Sequence, residues 1–145
     1  MSLTELAAKL EGRMDGPHAD EDTAAVAHLA AEAVRYLNYA TGSHAGQGLE
    51  WPGTVYSIAG GLSTAVHRMP QLFRQLAHEL SGQYADGLLA TDDDGPVVEV
   101  IAAATLRLEE AEKLARRLGY EMASLQTVLS GLNGRGPNRR LEDES

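Results

Sequence analysis

The stretch Pro96–Leu132, PVVEVIAAATLRLEEAEKLARRLGYEMASLQTVLSGL, decides the fold. Val97, Ile101, Ala104, Leu108, Ala111, Ala115, Leu118, Met122, Leu125, Leu129 and Leu132 recur in alternating steps of four and three, the repeat that keeps one stripe of a helix apolar. Read as one helix to about Gly131, this element extends on the order of 50 Å at 1.5 Å per residue. A seam that long must be covered along its whole length. Either other helices of the same chain lie along it, or a second copy of the chain does. Gly119 is the one interior position where the helix is expected to bend or to let a neighbour approach closely.

Working outward, two further segments show the same period. TVYSIAGGLSTAVHRM places Val55, Ile58, Ala59, Leu62, Ala65, Val66 and Met69 in helical register, and Leu72, Phe73, Leu76 and Leu80 continue it after Pro70. Proline inside a helix removes a hydrogen bond and crowds the preceding turn, so the expectation is a break near Met69. Stacked end to end, the two pieces match the long helix. Gly60, Gly61, Ser63, Thr64 and Ala65 read as a smooth face for close helix packing. The run from Glu21 to Thr41 is a further helix, with Val26, Leu29, Ala30, Ala33, Leu37 and Ala40 on one face, expected to cover another side of the long one. Asp20, Glu21 and Asp22 sit where a helix start favours anions. Ser2–Arg13 forms a short first helix with Leu3, Leu6 and Leu10 in line, ended by Gly12, Gly16 and Pro17. The expected architecture is therefore all-α: an antiparallel bundle of about four main helices with one long C-terminal helix. Residues 1–19 make a short helix and linker, 20–132 the bundle domain, and 133–145 a disordered tail.

Composition narrows the function classes. The 145 residues are 43% hydrophobic and 23% charged, with 5% aromatics, a globular mixture rich in Ala and Leu. The absence of cysteine removes disulfides, thiolate metal sites and thiol catalysis together. No run is apolar enough to span a bilayer and the N-terminus lacks the apolar core of a signal peptide, so a cytoplasmic protein without membrane contact is expected. A net charge of -9 argues against direct nucleic-acid binding.

No catalytic pattern emerges. His28 and Glu32 stand one helical turn apart and His67 and His78 lie further on, but a helical metal site needs three or four converging ligands, and neither HExxH nor paired ExxH occurs. In the run Asp92, Asp93, Asp94, Gly95, alignment to a calcium loop puts Ala90 and Ile101 at the end ligand positions, which fails; these acids fit better as favouring the start of the long helix. Ser57, Ser63 and Thr64 lack a nucleophile elbow, and no phosphate-binding glycine loop follows a strand. A helix-turn-helix around Pro70 would leave only Gln71, Arg74 and Gln75 as readers. Glu109, Glu110 and Glu112 interleave with Lys113, Arg116 and Arg117 as a solvated face of ion pairs three or four apart. No enzyme, metal or cofactor is expected.

The candidate binding site is the Gly-rich connection between Thr41 and Thr54. Tyr36, Tyr39, Trp51 and Tyr56 crowd its two ends, and it holds His44 and Glu50. Aromatics beside a flexible loop are characteristic of binding hot spots, and the competing role is a lid that plugs the open end of the bundle. Trp51-Pro52-Gly53 also resembles the W-x-G signature of the WXG100 family of small secreted helical hairpins. That likeness stops at the tripeptide, because the connection is long and neither Tyr84 nor Tyr120 has an acid four residues on. Over about residues 24–132, the run RYLNYATGSHAGQGLEWPGTVYSIAGGLSTAVHRMPQLFRQLAHEL with the long helix after it resembles small helical proteins of high-GC actinobacteria, some encoded near plasmid or integrative-element genes. The resemblance implies a bacterial accessory protein and transfers no activity to any residue. Two functions follow as expectations: a non-enzymatic protein–protein interaction module, as a monomer or a homodimer, or an acidic regulator that occupies the basic surface of a nucleic-acid-binding protein.

Overall fold

A computed structural model describes residues 1–42 and 48–132. The protein is all-helical, with α1 at Leu3–Glu11, α2 at Asp20–Thr41, α3 at Pro52–Ala85 and α4 at Val97–Leu129 among the described residues. The chain divides into two compact units, Met1–Leu49 and Glu50–Ser145. The expected C-terminal tail, 133–145, lies outside the described residues.

In the first unit, α1 starts at a capping box: Ser2 Oγ accepts from the Glu5 N–H at 3.1 Å, and the Glu5 carboxylate accepts from the Ser2 N–H at 2.6 Å. The first turn of α2 holds Asp20, Glu21 and Asp22, in the position where the helix dipole favours acids, but no side chain caps it. Asp22 instead pairs with Arg13 at 2.7 Å. No residue of α1 or α2 is buried.

The second unit is a helical hairpin in which α3 and α4 pack together along their length. Gly60 lies against Gln126, His67 against Gly119, and Arg74 against Glu112. Each step of seven up α3 meets a step of seven down α4, so the helices are antiparallel and share one heptad register. Ala59, Ser63, Val66 and Pro70 are buried on α3, and Ala115 and Gly119 on α4. Half-buried Phe73, Ala77 and Leu80 carry the α3 line onward; Ile101, Thr105, Leu108, Glu112, Met122, Gln126 and Leu129 complete the α4 line.

Pro70 corrects the expected break: α3 runs unbroken from Pro52 to Ala85 with Pro70 inside it. The heptad register is the same on both sides of residue 70. A break there would forfeit the packing of Phe73, Ala77 and Leu80 on α4, which outweighs the one hydrogen bond that proline removes.

The seam of α4 also differs from the expected stripe. Leu118 and Leu125 are exposed, and Gly119 and Gln126 take their places against α3. A Cβ on Gly119 would stand 3.3 Å from His67 Nε2, so glycine is what admits the His67 ring there. The ring is held by its Nδ1, which donates to the Ser63 carbonyl at 2.7 Å. Close approach, of the two roles expected of Gly119, is the one it performs.

The turn between the helices is built from its own sequence. Gly87, at φ +71°, and Leu88 close the end of α3: the Leu88 N–H donates to the Gln83 carbonyl and the Gly87 N–H to Tyr84, both at 3.0 Å. Asp93 then accepts from the Gly95 N–H at 3.1 Å, and Thr91 Oγ1 donates to the Gly95 carbonyl at 2.8 Å. Pro96 is the N-cap of α4, with Glu99 in its first turn.

Candidate functional site

The aromatic residues read as a site fall in both units, and each part stands by itself. Tyr36 and Tyr39 project from the last turns of α2 and are exposed; the Arg35 guanidinium lies 5.9 Å from the centre of the Tyr39 ring. Trp51 is the N-cap of α3, with 64% of its surface open, and Tyr56 follows in the second turn, also exposed. Glu50 is exposed beside Trp51, and His44 lies outside the described residues. Trp51 precedes the first turn of α3 and Tyr56, five positions on, lies within the helix, so each is exposed separately.

A larger surface lies along the hairpin, and its two faces differ in chemistry. The side of α3 that carries Gly60, His67 and Arg74 meets the side of α4 that carries Gln126, Gly119 and Glu112, which identifies one common face. That face is polar. Glu112 accepts from Arg74 across the hairpin at 2.8 Å and from Arg116 on its own helix at 2.7 Å; Lys113 pairs with Glu110 at 2.9 Å. Of the ion pairs expected three and four apart, Glu110–Lys113 and Glu112–Arg116 are formed. Arg74, a candidate reader in the helix-turn-helix reading, is tied to α4. A shallow depression lined by Gln71, Arg74, Gln75, His78 and Glu79 draws all its walls from one helix. It is an open surface.

The opposite face is apolar except for Arg107 and Glu121 on α4. Turning 100° per residue away from the seam, α3 presents Val55, Ile58, Leu62, Met69, Leu72 and Leu76, and α4 presents Val100, Ala104, Ala111, Leu114, Leu118 and Leu125. On α3 these form a second stripe with its own alternation of three and four, adjacent to the buried one. All but the half-buried Ile58, Leu62, Ala104 and Ala111 are exposed, Leu114 at 64% and Leu118 at 49%. The sequence pattern contained the α3 stripe. Ile58, Leu62, Met69, Leu72 and Leu76 share one helical register with Ala59 and Val66 in the sequence, because a helix with two adjacent apolar stripes cannot show there which one its neighbour takes.

Electrostatics in the hairpin centre on Glu112. Its hydrogen bond from Arg116 lowers its carboxyl below the ordinary value, Arg74 adds to the effect, and desolvation opposes it. A lowered folded value stabilises the hairpin above the unfolded carboxyl range and is lost as pH falls through the folded value. Glu112→Gln should therefore melt below the parent at neutral pH. The gap should close on acidification well under about pH 4.3, the unfolded glutamate value, and melting curves of both proteins against pH check it.

Among the described residues no three His, Asp or Glu side chains gather as a metal site, and no helix is long and apolar enough to cross a membrane. Glu32, one of the two residues of the metal reading on α2, pairs with Arg35 at 3.2 Å. What the hairpin offers chemically is contact area: an apolar face backed by a polar one. Comparison with family models, with curated proteins and with solved structures found no match, so the reading of this site rests on its geometry.

Proposed function

We propose that this protein is a non-enzymatic interaction module whose binding surface is the apolar face of the α3–α4 hairpin. The observation that carries the reading is that both helices direct a run of large apolar side chains to the same side while only small ones, Ala59, Val66 and Ala115, are buried between them. Over about 40 Å of helix and the width of two helices, such a face approaches ~800 Å², beyond the few hundred Å² of apolar patch that a monomer ordinarily exposes. Removing that surface from water is the main driving force available to the chain.

The acidic-regulator alternative asks for carboxylates gathered on one face. On the polar face of the hairpin Glu109, Glu110 and Glu112 alternate with Lys113 and Arg116, so nothing there favours it over the apolar reading.

Site-specific photocrosslinking tests the proposal. With benzoylphenylalanine at Leu118, on the apolar face, irradiation in the native host should yield a protein adduct, and at Arg116, on the polar face, it should not. Adducts from neither position, or from Arg116 alone, would refute the apolar face as the binding surface.

A further inference from the structure

We infer that the partner of this face is a second copy of the chain, joined by a two-fold axis that passes between the two Leu114 residues. The inference rests on the apolar-face reading above and adds to it the identity and register of the partner. One column of α4 carries it. Val100, Arg107, Leu114, Glu121 and Val128 stand seven residues apart along the outer side of the apolar face, turned away from the seam with α3. All five are exposed, and among the described residues neither Arg107 nor Glu121 makes an ion pair.

The column is self-complementary. Set antiparallel against its own copy with Leu114 facing Leu114, it brings Arg107 level with the second copy's Glu121 and Glu121 level with the second copy's Arg107, and the two valines level with each other at the ends. A two-fold contact demands this property, since each residue must suit the one that its symmetry mate presents. Shifting the register by one heptad would set arginine or glutamate against leucine; turning the copies parallel would set like charges together. One arrangement satisfies the column, and Leu114 lies near the middle of α4, so it overlaps the helix almost end to end.

The hairpin register extends the argument to α3. The steps that pair residue 67 with 119 and 74 with 112 put Leu72 level with Leu114. The same axis therefore brings Leu72 onto Leu72 of the second copy, with Met69 and Leu76 on either side. Two hairpins then close into a four-helix bundle in which each helix runs antiparallel to both neighbours, and the apolar stripes of all four meet inside. The overlap buries roughly 1,600 Å² in total, the size of a stable specific interface.

The test uses the full chain, which has no native cysteine. Light scattering over a hundredfold range of concentration should give about 31 kDa, twice the 15.5 kDa of one chain. Leu114→Cys should form a disulfide-linked dimer under mild oxidation because the axis places each copy beside itself; Tyr120→Cys, on the outer surface, should not. Arg107→Glu and Glu121→Arg alone should each weaken the dimer about tenfold or more, and together they should restore it. Circular dichroism confirms that each variant keeps its helices. A mass of 15.5 kDa at every concentration overturns the second copy as partner. A 31 kDa species in which Leu114→Cys does not link and the double reversal does not rescue overturns the axis. Neither result touches the apolar-face reading, which falls only with the crosslinking from Leu118.

Discussion

A chain carrying Val66→Asp should lose the α3–α4 hairpin. Val66 is 7% exposed and sits mid-seam, between buried Ser63 and Pro70. The substitution removes one of the few buried apolar side chains among the described residues and puts a carboxylate in its place in the seam. The lost apolar transfer is about 1.5 kcal/mol or more, and an unpaired buried charge adds at least as much, for a total of about 3 to 5 kcal/mol. A two-helix seam with so little enclosed surface has small reserves against such a loss. Far-UV circular dichroism and the melting temperature should both fall steeply. Val98→Asp is the control: Val98 is exposed in the first turn of α4, where the helix dipole favours an acid, and its effect should be nil or slightly stabilising. Equal losses from the two would mean that α3 and α4 are not packed through Val66.

The second large effect has the opposite sign. Pro70→Ala should stabilise the hairpin by about 1 to 2 kcal/mol. Proline inside a helix stands about 3 kcal/mol below alanine, from the missing N–H and the clash with the preceding turn. Because α3 is continuous through residue 70, that penalty is present in the folded state. Against it stands the burial of the proline ring, whose two extra methylenes contribute about 1.5 kcal/mol that alanine forfeits. The helix term is larger, so denaturant midpoints should rise. A fall instead would show that the ring fills its place against α4 better than its area implies, and that the seam selects proline for shape.

The helical class was legible because helix formation is local. The four-and-three alternation from Val97 to Leu129 and the glycines and proline after Leu10 act within a few residues, so their consequences can be read without knowing what they touch. The length of α4, the existence of α2 and the ion pairs between Glu110 and Lys113 or Glu112 and Arg116 follow in the same way. Tertiary packing decided the rest. Whether Pro70 breaks α3 depends on how much packing a break would forfeit on another helix, a quantity absent from the local sequence. Which of two adjacent stripes on α3 is enclosed depends on the partner, and α4 takes the line of Ala59, Ser63, Val66 and Pro70, leaving Val55, Met69, Leu72 and Leu76 outside. Small residues win that seam because they let the two backbones approach, while the large ones are left with apolar surface still in contact with water. The sequence by itself determined that these helices exist and that their faces are apolar; only the pairing of α3 with α4 decided which apolar face is spent on the fold and which remains exposed.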